Sequence, residues 1–238
     1  MQKYGDILGY ARDTLNGREE IEWSNFWYDN ATNGHDDRIL LIGDSTARQI
    51  RSELARTAHK PVDLLATSSG LHDALFVAQM DAFFAQETYR YKVIFVQLGH
   101  HSRIGDLGEA YHEKDYVVFY DDFKKLISFL TQYTEKIIIA SVFYSVITPR
   151  TKMARLLRGM FRMNERYDEV ANEIKERKNQ ILKRVADELQ LEFFDINQFM
   201  YDRRKKYLHS DHIHFESSAK KVIVEQYLKY VNGRGIEL

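Results

Sequence analysis

The chain has no cysteine among its 238 residues. That excludes disulfides, a thiol nucleophile and thiolate metal sites, and it fits a reducing compartment. Proline is almost as scarce: only Pro61 and Pro149 occur, so no proline-rich linker marks a domain boundary. An excess of one charge is also missing, since 34 Lys and Arg meet 35 Asp and Glu. So balanced a chain carries no global field to gather nucleic acid or an anionic membrane. No apolar run approaches membrane-spanning length, and "MQKYGDILGYARD" has no apolar signal core. These absences lead us to expect a cytoplasmic protein with no membrane span and no nucleic-acid partner.

What the chain does have is an ordinary globular composition, 44% apolar and 29% charged, and enough length to bury a full core. Four short apolar runs read as buried parallel strands: "RILLIG" (38–43), "KVIFVQLG" (92–99), "KIIIASVF" (136–143) and "LEFFDI" (191–196). A weaker fifth, "VDLLATS" (62–68), lies between the first two. Helical periodicity fills the gaps. Ala47, Ile50, Leu54 and Ala58 share a face after the first strand; Tyr167, Val170, Ala171, Ile174, Ile181, Leu182, Val185 and Leu189 share one before the last. "ESSAKKVIVEQYLKYV" reads as a closing helix. Strands alternating with helices predict an α/β domain of about five parallel strands covered on both faces. Ligands in such folds bind beyond the carboxyl ends of the strands.

Two segments stand outside the alternation. Residues 1–37 form an N-terminal extension rich in aromatics (Trp23, Phe26, Trp27, Tyr28), expected to pack as an arm on the domain of residues 38–238. The second is "TPRTKMARLLRGMFRMNER" (148–166), where Arg155, Arg158, Arg162 and Arg166 fall at helical spacing opposite Met153, Leu156, Leu157, Met160 and Phe161. This pattern predicts a solvated basic face over a packed apolar one, placed where it could clamp an anionic substrate.

The chemistry centres on "GDS" (Gly43–Ser45), where the first strand gives way to a helix. Ser and Asp are both preferred helix caps, so a cap is the simplest use of Ser45. A nucleophilic use requires a base, a group that orients the base, and donors for an oxyanion. "DHIH" (Asp211–His214) supplies an acid and an imidazole three residues apart, ahead of the last helix. The Ser45 amide, at a helix start, is a natural oxyanion donor. Gly70 in "ATSSGLHD" and His101 in "QLGHHS" follow the second and third strands as further donors. Arg48 and His100 are adjacent candidates for substrate contact, with Arg155, Arg158 and Arg162. A rival use of the same region is a metal site from His209, His212 and His214 with Asp211, which leaves "GDS" and Gly70 unexplained.

Taken together, GDS, Gly70, "GHH" (99–101) and "DHIH" resemble, in order and position, the sequence blocks of the SGNH (GDSL-type) hydrolase superfamily. The resemblance implies a three-layer, flavodoxin-like α/β/α sandwich. It also implies a Ser45–His214–Asp211 triad, an oxyanion hole from Ser45, Gly70 and His101, and no metal or cofactor. His101 stands where the family's block has asparagine; a neutral imidazole can still donate one hydrogen bond. The implied activity is hydrolysis of short acyl esters, acetyl foremost, on a small molecule or glycan. The alternatives are acyl transfer to a glycan through the same triad, or a non-catalytic glycan binder that kept the fold.

Overall fold

A computed structural model describes residues 2–9, 21–32, 37–85, 90–101, 112–147, 166–167, 169–201, 203, 214–236 and 238, together with residues 153, 156, 157 and 160. Its frame is a six-stranded sheet. The chain enters through a short helix, α1 (Tyr4–Leu8), and strand β1 (Ser24–Trp27), then alternates: β2 (Arg38–Gly43), α2 (Ser45–Ala58), β3 (Val62–Thr67), α3 (Ala74–Phe83), β4 (Tyr91–Gln97), α4 (Glu113–Leu130) and β5 (Ile137–Ala140). A small antiparallel pair follows, β6 (Val146–Ile147) with β7 (Arg166–Tyr167). Helix α5 (Glu169–Glu188), β8 (Glu192–Phe194), α6 (Ile196–Tyr201) and α7 (Ser217–Gly233) complete the order.

The strands lie as β1-β3-β2-β4-β5-β8, all parallel except β1, which runs antiparallel to β3. The five predicted strands are therefore all present, in flavodoxin-like order. Burial on both faces explains why they read as continuous apolar runs. In β2, Leu40 and Ile42 join a core shared with α1, α3, α4 and α5, whereas Ile39 and Leu41 join one shared with α2, α6 and α7.

The N-terminal arm differs from its expectation: residues 24–27 form an edge strand. The signal is weak because only one side of this strand meets the sheet and Phe26 and Trp27 remain exposed. The packed apolar face predicted for residues 148–166 is also corrected. Met153, Leu156, Leu157 and Met160 are 44–68% exposed, so periodicity marked a helical pattern without marking burial. No helix among the described residues is long and apolar enough to cross a membrane.

Candidate active site

Strand β2 pairs with β3 on one side and β4 on the other. Its carboxyl end is thus the point where the chain order reverses, the crevice that α/β sheets use for ligands. Gly43 ends the strand there because nothing larger fits. A Cβ at this position would lie 2.5 Å from Ala47 Cβ and 2.8 Å from the Gln97 carbonyl oxygen.

Of the two capping residue types in GDS, the structure uses the aspartate. Asp44 is the cap of α2, its Oδ1 accepting from Thr46 N at 2.8 Å and from Thr46 Oγ1 at 2.7 Å. Ser45, the first helical residue, is released from that duty and is 7% exposed. Its Oγ lies 2.6 Å from His214 Nε2, across 169 residues of sequence. With the imidazole proton on Nδ1, the serine hydroxyl donates and Nε2 accepts, which is the arrangement for moving a proton off the hydroxyl.

The histidine is positioned by its neighbour. Phe215 is buried with its ring edge-on to Phe143, 4.8 Å between centroids, and its backbone N–H donates to Gln49 Oε1 on α2 at 3.3 Å. One turn of helix therefore carries Ser45 and also anchors the segment bearing His214. Deeper in, the Tyr227 hydroxyl is pushed far up, first by burial and then by the Asp44 charge.

Gly70 is half-buried in the loop after β3, and its carbonyl accepts from Asp73 N at 3.0 Å. The loop is fastened from outside the motif: the Glu22 carboxylate accepts from Ser68 Oγ at 2.6 Å and Ser69 Oγ at 3.3 Å. Beyond β4, Gly99 has φ +150°, and a Cβ there would come within 2.7 Å of Val142 Cγ2. Its carbonyl accepts from the buried Lys178 Nζ at 2.8 Å. His100 and His101 follow, both half-buried. The His101 ring meets Trp23 edge-on, with centroids 6.3 Å apart. Arg48 is exposed on α2, its guanidinium 4.9 Å from the centre of the same indole.

The structure thus brings Ser45 and His214 together and sets Gly70 and His101 on the loops after the two strands that flank β2. Asp211, Arg155, Arg158 and Arg162 lie outside the described residues, as do His209 and His212. Reasoning from motifs alone missed Glu22, Gln49 and Lys178. Each acts by holding a loop through long-range hydrogen bonds, and such bonds leave no local pattern.

No protein-family model matches this chain, and no curated protein matches it in sequence. Solved structures do match in fold. A catalytic mutant of an acetylxylan esterase from Geobacillus stearothermophilus aligns over 84% of this chain and 95% of its own, with TM-score 0.55 and 14% identity. A candidate SGNH hydrolase from Slackia heliotrinireducens aligns over 81% and 97%, with TM-score 0.56 and 13% identity. A further acetyl xylan esterase aligns over 82% and 99%, with TM-score 0.55 and 12% identity. At these identities the likeness establishes architecture: the chain has the SGNH hydrolase fold.

Proposed function

We propose that this chain is a serine carboxylic ester hydrolase that removes short acyl groups, acetyl foremost, from a carbohydrate. The observation that carries the reading is the 2.6 Å contact between Ser45 Oγ and His214 Nε2 at the switch point of the sheet. The acetylxylan esterase neighbours support the acetyl-sugar substrate class.

In this reading Ser45 Oγ attacks the ester carbonyl carbon while His214 Nε2 takes the hydroxyl proton. The carbonyl oxygen becomes an oxyanion, received by the backbone N–H groups of Ser45 and Gly70 and by a donor from His101. As the tetrahedral intermediate collapses, His214 returns the proton to the departing sugar oxygen, leaving Ser45 acylated. Water then attacks the acyl-enzyme with His214 as base, releasing the acid and restoring the serine. Asp211 holds the Nδ1–H tautomer and stabilises the imidazolium. All of these roles belong to the chain's own groups, and no cofactor is needed to balance the steps.

Hydrolysis of p-nitrophenyl acetate and of acetylated xylo-oligosaccharides by wild type and Ser45→Ala tests the proposal. Turnover of both by wild type and neither by Ser45→Ala is expected. Turnover surviving in Ser45→Ala would overturn it, as would faster turnover of the octanoate than the acetate for the short-acyl preference.

A further inference from the structure

Strand β1 delivers a side chain to the active-site rim. Pairing of Ser24 with Thr67 runs the arm back along β3, so that Trp23 sits at the carboxyl end of that strand. There its N–H donates to Ser68 Oγ at 2.9 Å and its carbonyl accepts from Ser68 N at 3.1 Å, two residues before Gly70. Its indole touches Arg48 and His101, side chains from two further elements around Ser45. Arg48 follows Ser45 by three residues, a spacing that keeps both on one side of α2.

A second Arg–Trp stack on the same helix serves as an internal comparison. Arg51 lies 4.4 Å from the centre of Trp27, but its charge is matched by Asp29 at 2.8 Å, and its Nε donates to the Val62 carbonyl. That stack is structural and electrically closed. Arg48 has no carboxylate partner among the described residues. Glu53, further along the same helix, is paired with Arg56 at 2.5 Å. A guanidinium held on an indole three residues from Ser45, exposed and without a counter-charge among the described residues, is a preformed anion receptor.

We infer that Arg48, oriented by Trp23, binds a carboxylate on the sugar that carries the ester, making acylated uronic acids the preferred substrates. This rests on the ester-hydrolase reading above. A carboxylate is chosen over a phosphate because one planar guanidinium matches one planar carboxylate through two parallel hydrogen bonds. Trp23 is a positioning residue here, since it acts through Arg48.

The test is the ratio of kcat/KM for an acetylated methyl glucuronide to that for the equivalently acetylated methyl glucoside. Wild type is expected to favour the uronate. Arg48→Gln should lower the ratio about tenfold, mainly through KM, as loss of a charged hydrogen bond implies. Arg48→Lys should fall between. Trp23→Leu should lower the ratio and Trp23→Phe restore most of it, whereas Arg56→Gln, further along the same helix, should leave it unchanged. A ratio unaltered in Arg48→Gln, or a wild type preferring the neutral sugar, overturns the inference. Turnover of an acetylated glucose phosphate equal to that of the uronate overturns the carboxylate assignment. If wild type hydrolyses none of these esters, the hydrolase reading fails, and titration calorimetry with free methyl glucuronide then decides the inference alone. Binding to wild type that is lost in Arg48→Gln supports it; equal or absent binding overturns it.

Discussion

The guanidinium of Arg38 meets the carboxylate of Asp63 at 2.5 Å with both side chains fully buried, at the end of the sheet opposite Ser45. Asp63 also accepts from the Tyr91 hydroxyl at 3.1 Å and from Asp29 N at 2.8 Å, so one carboxylate ties together the starts of β2, β3 and β4. Burial and that neighbouring charge push the Tyr91 hydroxyl strongly up, and it stays a neutral donor. Asp63→Asn removes the carboxylate charge that faces the buried Arg38 cation and should lower stability by about 3–5 kcal/mol. Urea unfolding measures the loss. Because the pair is remote from the crevice, kcat per folded molecule should not change.

In the proposed mechanism Ser45 and His214 act as one proton-handling unit, so their contributions should not add. Either Ser45→Ala or His214→Ala should cut kcat/KM for p-nitrophenyl acetate by about 10⁴ or more. The double variant should be no worse than the weaker single one. A complete mutant cycle in steady-state kinetics checks this, with circular dichroism confirming that each variant is folded.

The close approach at Gly43 predicts a mutation whose effect on rate exceeds its effect on stability. Ala47 Cβ and the Gln97 carbonyl leave no room for a methyl group. Gly43→Ala should cost about 1–3 kcal/mol through overpacking. Relief comes by shifting the first turn of α2, and a displacement near 1 Å at the nucleophile costs about 10² in rate. Parallel urea unfolding and kcat measurements separate the two effects.

On the far side of the domain, Glu188 accepts from Lys124, Tyr120 and Arg184, and these contacts hold its carboxyl down at about 2 from an ordinary 4.5. A carboxyl lowered on folding stabilises the fold above its unfolded value, and that contribution disappears as pH falls through the folded one. Wild type should therefore lose stability relative to Glu188→Gln between pH 4.5 and about 2. Melting temperatures of both proteins across that interval test the sign. The group is solvent-exposed, so the difference should shrink in high salt.

Legibility in the sequence followed the range of the interactions involved. β2, β3, β4, α2 and α7 were readable because burial on two faces or one writes a continuous run or a 3.6-residue period into the chain. GDS and His214 stood out by residue type, and the structure brings Ser45 and His214 together, while Asp211 lies outside the described residues. β1 was not, since an edge strand lacks one partner and keeps Phe26 and Trp27 exposed. The duty of Asp44 as cap, which frees Ser45, was hidden as well: both residue types cap well, and only geometry separates them. The stack of Trp23 on Arg48 joins residues 25 positions apart without any periodic signal, so it emerges only in three dimensions.

The most direct measurement is peptide mapping after reaction with a serine-directed fluorophosphonate. A single adduct on Ser45, formed rapidly by wild type and orders of magnitude more slowly by His214→Ala, is the expected result. An adduct on another residue, or equal labelling rates with and without the imidazole, would contradict a nucleophile activated by His214.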